Sequence, residues 1–164
     1  MPVSASDPDG NGVSLTVLSI PAFGNFTDNG GGSGSVAFTP GLDDAGSYTI
    51  QLIATDDGTP NLTDTLSFSL TVNNVNRAPV FVAVSAQSMT ENSSLSVPIS
   101  ATDADGNGLT FSGLNFATVS VSNNGNGTGN IQLTPGFEDG GSYTISAIVT
   151  DDGTPNLSDT VSFR

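Results

Sequence analysis

Two oxygen-rich segments stand out because each occurs twice. Asp7-Pro8-Asp9-Gly10-Asn11-Gly12 returns as Asp103-Ala104-Asp105-Gly106-Asn107-Gly108, and Asp56-Asp57-Gly58-Thr59-Pro60 returns as Asp151-Asp152-Gly153-Thr154-Pro155. Clustered Asp and Asn on turn-forming sequence offer hard oxygen donors without thiolate or imidazole. Such a set suits Ca²⁺, which takes six to eight oxygens in flexible geometry, and does not select zinc or copper. Without a cation, Asp103, Asp105 and Asp151 would repel one another wherever the fold brings them together. Asp-X-Asp-Gly is also a common turn, in which a carboxylate accepts from nearby backbone N–H groups. The motif alone therefore carries two readings, ligand and turn-former.

The same inventory excludes most catalysis. The chain has no His, Cys or Lys, so Ser-His, Cys-His and Schiff-base mechanisms lack a base or nucleophile. A paired-carboxylate hydrolase stays formally open, but its candidate acids recur in both halves and sit in turns. Two Arg against 16 acids give a formal net charge of −14. Nucleic acid and anionic membranes need basic surface, so neither is an expected partner. The absence of Cys rules out disulfide staples. No run of 18 apolar residues occurs, so no direct membrane insertion is expected.

The elements that would position these acids repeat as well. Residues 47–68 return at 142–163 with 17 of 22 aligned positions identical. The chain is thus a tandem array of one small module, with an expected division into residues 1–76 and 77–164. Pro2-Val3-Ser4-Ala5 aligns with Pro98-Ile99-Ser100-Ala101, so residues 80–97 have no counterpart in the first module, and the second stops at Arg164 where the first continues from Phe68 to Val72. The first module is expected to lack its opening strand and the second the end of its closing one. Either the chain is a piece of a longer array, or a neighbouring chain supplies the missing strands.

Apolar residues alternate at Val13, Leu15, Val17; at Tyr48, Ile50, Leu52, Ala54; at Leu95, Val97, Ile99, Ala101; and at Tyr143, Ile145, Ala147, Val149. Period two marks strands with one buried face. Asn-Gly pairs such as Asn11-Gly12, Asn29-Gly30 and Asn124-Gly125 punctuate them. The expected fold is all-β, tandem Greek-key β-sandwiches of about seven strands per module. In the second module the strands fall near 80–89, 95–102, 109–114, 117–122, 130–134, 142–151 and 157 onward.

Ala101-Thr102-Asp103-Ala104-Asp105-Gly106, Val149-Thr150-Asp151-Asp152-Gly153-Thr154-Pro155 and the linker ending Asn76-Arg77-Ala78-Pro79-Val80-Phe81 resemble cadherin repeats. They resemble more closely the bacterial cadherin-like and immunoglobulin-like repeats of large surface adhesins. The resemblance covers nearly the whole chain and lies in the order of several motifs. It implies Ca²⁺ at the junction of successive modules, with Asp103, Asp105 and Asp151 from the following module. It further implies Asp43 from the preceding module, with Glu138 as its second-module equivalent, and Asn73 and Asn76 from the linker. Glu91 would serve the next junction downstream, and Asp7, Asp9 and Asp56 one upstream. Cadherin linkers carry acids where this chain has Asn73 and Asn76, so fewer ions per junction are expected, since amide oxygens ligate Ca²⁺ more weakly.

The function expected on these grounds is a non-enzymatic, extracellular Ca²⁺-stiffened spacer in a bacterial surface or secreted adhesin. Its partners would be neighbouring repeats and, at the cell surface, a protein or glycan. A carbohydrate-binding sandwich is the first alternative, with Phe23, Phe26 and Phe116 as candidate stacking rings and Tyr48 and Tyr143 read as core or corner residues. A filament subunit assembled by strand complementation is the second.

Overall fold

The structure is a computed structural model that describes residues 1–113 and 118–164. It divides into two units, Met1–Val75 and Asn76–Arg164, one residue before the expected boundary. Each described element is a strand.

In the first unit β1 (Pro2–Ser4), β4 (Ser33–Phe38) and β3 (Gly24–Gly30) form one antiparallel sheet, and β2 (Val13–Ser19), β5 (Gly46–Asp56) and β6 (Thr63–Val72) form another. The inward members of the alternation make the core: Leu15, Val36, Ile50 and Leu52 are buried. β5 and β6 pair over their whole length, from Gly46 opposite Val72 to Thr55 opposite Thr63.

The second unit repeats this plan and adds a strand. β7 (Val80–Phe81), β8 (Leu95–Thr102), β11 (Thr128–Leu133) and β10 (Val119–Gly125) form one sheet; β9 (Leu109–Ser112), β12 (Ile145–Asp151) and β13 (Ser158–Phe163) form the other. Together the seven strands make the expected β-sandwich. Val97, Ile99 and Ala101 of β8 pack with Phe111, Ile131, Ala147, Val149 and Phe163 in a single cluster. Ile131 and Val149 are wholly buried, worth roughly 1.5–3 kcal/mol each relative to exposure.

Two expectations are corrected. The first strand of this unit pairs only at Val80 and Phe81, not over 80–89. Beyond it the Val82 N–H still donates to Ser100 O (2.9 Å), but the Gln87 N–H donates to Arg164 O (2.7 Å), so the segment crosses from one sheet to the other and makes no continuous ladder. β12 begins at Ile145, opposite Phe163, and not at 142. Tyr48 is half-buried and its hydroxyl donates to Asp44 O (2.9 Å), the bond of a corner residue, while Tyr143 is 44% exposed. The expected strand ends at 114 and 117, and Phe116, lie outside the described residues.

Candidate functional site

The acidic segments occupy the loops that leave β8 and β12 at the same end of the second unit. In the first loop Asp103 Oδ1 accepts from the N–H groups of Asp105 (2.8 Å) and Asn107 (3.2 Å), which closes a tight turn through Gly106 at φ 75°. Asp103 Oδ2 and Asn107 Oδ1 are buried and have no hydrogen-bond partner. In the second loop Asp151, 3% exposed, accepts from Gly153 N–H (3.0 Å) and Leu157 N–H (2.9 Å) through Oδ1. Its carbonyl accepts from Asn156 Nδ2 (2.7 Å). Asp152 Oδ1 accepts from Gly108 N–H (2.8 Å) and so ties the two loops together.

The start of the unit lies across both loops. Asn76 Nδ2 donates to Asp151 Oδ2 (3.1 Å) and to Pro155 O (2.9 Å). Arg77 grips Asp105 with backbone and side chain. Its N–H donates to Oδ2 (2.7 Å), Nε and Nη2 donate to Oδ1 (3.0 and 2.8 Å), and Nη2 also reaches Ala104 O (3.0 Å). The Asp105 side chain is only 5% exposed and that of Arg77 25%. Gly153 belongs to the same corner, because a Cβ there would run into the Asn76 side chain. Pro79 follows, buried, and the Phe81 N–H donates to Asp159 Oδ2 (2.9 Å), fixing β7 to the start of β13.

The first unit builds its loops the same way. Asp7 Oδ1 accepts from the N–H groups of Asp9 (2.8 Å) and Asn11 (3.1 Å), and Asp57 Oδ1 from Gly12 N–H (2.8 Å). Asp56 Oδ1 accepts from Gly58 (3.1 Å) and Leu62 (2.9 Å). Asp7 and Asp56 are half-buried and Asp9 exposed.

Asp43 and Asn73 of the first unit are exposed, as are Glu91 and Glu138 of the second. Glu91 borders a cavity of about 410 Å³ with Met89, Leu95, Tyr143 and Phe163 among its walls, none of them from the acidic loops. Among the described residues, no group of three or more acidic side chains is gathered closely enough to hold one metal ion. The donor set fits a hard cation at Asp103 and Asn107, where two buried oxygens lack partners, and does not fit one at Asp105, whose oxygens both face Arg77.

Sequence reasoning passed over Arg77 and Asn107, and read Asp159 as a turn or solvated residue, whereas it accepts from the Phe81 N–H. Asn107 could have been found, since it repeats Asn11 at the same distance from the acid pair. Arg77 carried a signal too, as the only cation inside the chain before Arg164. Nothing in the sequence singles out Asp159. The candidate stacking rings Phe23 and Phe26 are half-buried, and Phe23 packs edge-on against Tyr48 (centroids 4.9 Å) and Phe38 (6.4 Å).

Residues 76–164, more than half of the chain, match the family model described as bacterial Ig domain. Curated protein sequences give no significant match. Among solved structures, extracellular cadherin domains 1–4 of protocadherin gamma B7 match with a TM-score of 0.67 at 18% identity, over 92% of this chain and 39% of that one. Domains 1–5 of protocadherin gamma B2 match at 0.62 and 24% identity, over 97% and 33%. Human CDH23 EC21-23 matches at 0.59 and 17% identity, over 93% and 50%. The chain therefore spans half or less of each of these structures, and at such identities the likeness is one of fold. Among the described residues no helix is long and apolar enough to cross a membrane.

Proposed function

The chain belongs to the bacterial Ig-domain family, and from that premise we propose that it is a non-enzymatic spacer segment of a large extracellular or cell-surface adhesin, built to hold functional parts apart. Its fold is Ig-like and cadherin-like, a scaffold whose members carry function in loops and joints more than in the sheets. The observation that carries the reading is the fastening of Asn76 and Arg77 onto Asp151, Pro155 and Asp105, which fixes the direction in which the chain enters the second module. A segment that only needed to be soluble would gain nothing from ordering its linker, which costs about 1–2 kcal/mol of backbone entropy per residue.

Ca²⁺ is the proposed ion. Asp103 and Asn107 would hold it in the second module, through the two buried oxygens that lack partners; Asp7 and Asn11 are their repeats in the first. Bound there, the ion would neutralise acidic charge and supply the missing partner for both oxygens. Few protein donors imply weak binding, in the ~0.1–1 mM range typical of extracellular modules. At ~10 mM Ca²⁺ that corresponds to about 1.4–2.7 kcal/mol, on the order of 10 °C in melting temperature for a domain of this size. The test is a calorimetric melt in 10 mM CaCl₂ against EDTA, with Asp103→Asn alongside. Equal melting of the wild-type protein in both solutions would remove the ion from the reading.

A further inference from the structure

Asp105 is the acid on which the expected and the observed chemistry part. It sits two residues from Asp103 in the loop read as cation-binding, and its side chain is almost sealed from water, at 5% exposure. A carboxylate in such a place needs a counter-charge and hydrogen bonds for its oxygens. Both come from one residue. The Arg77 N–H takes Oδ2, the guanidinium forks onto Oδ1 through Nε and Nη2, and Nη2 extends to the carbonyl of Ala104.

We infer that the Arg77 guanidinium is the resident cation of this corner, filling at Asp105 the place that a divalent ion would otherwise take. Three observations converge on this. The grip uses backbone and side chain of one residue together, which a long surface side chain folded back by chance would not do. Arg77 is the only Lys or Arg before the C-terminal Arg164 in a chain with 16 acids, and it lies on one of the two least exposed acids of the second unit's cation-type loops. Its single charge balances Asp105 and leaves nothing for Asp103, whose Oδ2 is the oxygen without a partner. The linker end of this module thus carries its own counter-ion and holds without metal. Replacing Arg77 by a neutral residue would turn a metal-independent corner into one that demands a cation. The Asp105 geometry carries the inference by itself, independently of the Ca²⁺ reading of Asp103 and Asn107 above.

The experiment melts four proteins, the full chain as wild type, Arg77→Gln, Asp105→Asn and the double variant, each in EDTA, 10 mM MgCl₂ and 10 mM CaCl₂. In EDTA, Arg77→Gln is expected to lower the melting of the second unit by about 10 °C or more, because a buried carboxylate loses its partner. Ca²⁺ should restore more of that loss than it adds to the wild type. The double variant, with no charge left to balance, should melt higher than Arg77→Gln in EDTA and gain less from Ca²⁺. If Arg77→Gln fails to fold in EDTA, folding on addition of Ca²⁺ and folding of the double variant without it are the same result in stronger form. A double variant no more stable than Arg77→Gln would overturn the inference, since Arg77 would then act by packing. So would a Ca²⁺ gain in Arg77→Gln no larger than in the wild type. A wild type indifferent to Ca²⁺ beside a responsive Arg77→Gln sinks the ion-binding reading and leaves this inference standing; a responsive wild type with no extra response in Arg77→Gln does the reverse.

Discussion

Trypsin offers a direct measure of how firmly the linker is held, because the chain has no Lys and its second Arg is the last residue. The enzyme can cut internally only after Arg77, giving residues 1–77 and 78–164. In the folded protein that bond is out of reach, since the Arg77 side chain lies on Asp105 and the backbone N–H is bonded to the same carboxylate. Cleavage must therefore wait for local opening, and its rate follows the open population when reclosing is fast. Asp105→Asn leaves one oxygen to accept from the guanidinium but removes the charge and replaces the acceptor of the Arg77 N–H by a donor. Hydrogen bonds to a charged acceptor contribute about 1.5–3 kcal/mol, and the 25% exposure of the Arg77 side chain argues for the lower half of that range. A loss of about 2 kcal/mol raises the open population roughly 30-fold. Cleavage of Asp105→Asn should be faster than wild type by that order, while Asp44→Asn in the first unit, whose carboxylate accepts from the Gly41 N–H, should be cut at the wild-type rate. A rate for Asp105→Asn within about threefold of wild type would refute the claim that Asp105 holds the linker.

Gly153→Ala places a methyl group on the Asn76 side chain; the Asn76 bonds to Asp151 and Pro155 should be lost, at about 1–2 kcal/mol, seen as tryptic cleavage on the order of tenfold faster. Asp151→Ala orphans the N–H groups of Gly153 and Leu157 and takes one of the two acceptors of the Asn76 amide, at a site only 3% exposed, so calorimetry should show a loss near 3 kcal/mol. Asp56→Ala, at a half-buried site in the first unit, should cost that unit less. Ile131→Ala empties a wholly buried position in the second core and should cost about 2–5 kcal/mol; a denaturant midpoint unchanged from wild type would mean the cluster around Phe111 and Val149 is not the core.

Where one face of a strand is buried, the sequence is explicit. The alternation Leu95, Val97, Ile99, Ala101 marks β8 to the residue, Leu95–Thr102, and three of those four side chains are buried. The residues after Val80 carry strand-like composition yet pair only at Val80 and Phe81, because the segment divides its hydrogen bonds between two sheets. Composition records the buried face and not the choice of partner. The loops followed the same rule. Asp103, Asp151 and their repeats were visible as acids on turns, since those bonds are local. The grip of Arg77 on Asp105 joins residues 28 apart, and Asp159 reaches Phe81 across 78; no local pattern encodes either.

The ligand and turn-former readings of the acidic motifs describe different oxygens of the same carboxylate. In Asp7, Asp56, Asp103 and Asp151 alike, Oδ1 accepts from two backbone N–H groups of its own loop. That bonding recurs in both units because every copy of the module must close the same turns. Closing a turn this way uses one side of the carboxylate and fixes the direction of the other. In the second unit the second oxygens are where the loops differ: Asp151 Oδ2 receives Asn76, while Asp103 Oδ2 lies buried with no partner. Asp105, one turn position along, has both oxygens occupied by Arg77. The repeat thus supplies a scaffold of second carboxylate oxygens turned away from the loop N–H groups, and the linker decides which of them meet an amide, a guanidinium or an ion. On this argument, changes at Asn76 and Arg77 should retune metal demand while leaving the sandwich intact, whereas changes at Asp103 or Asp151 disturb both, because one side chain serves the turn and the site together.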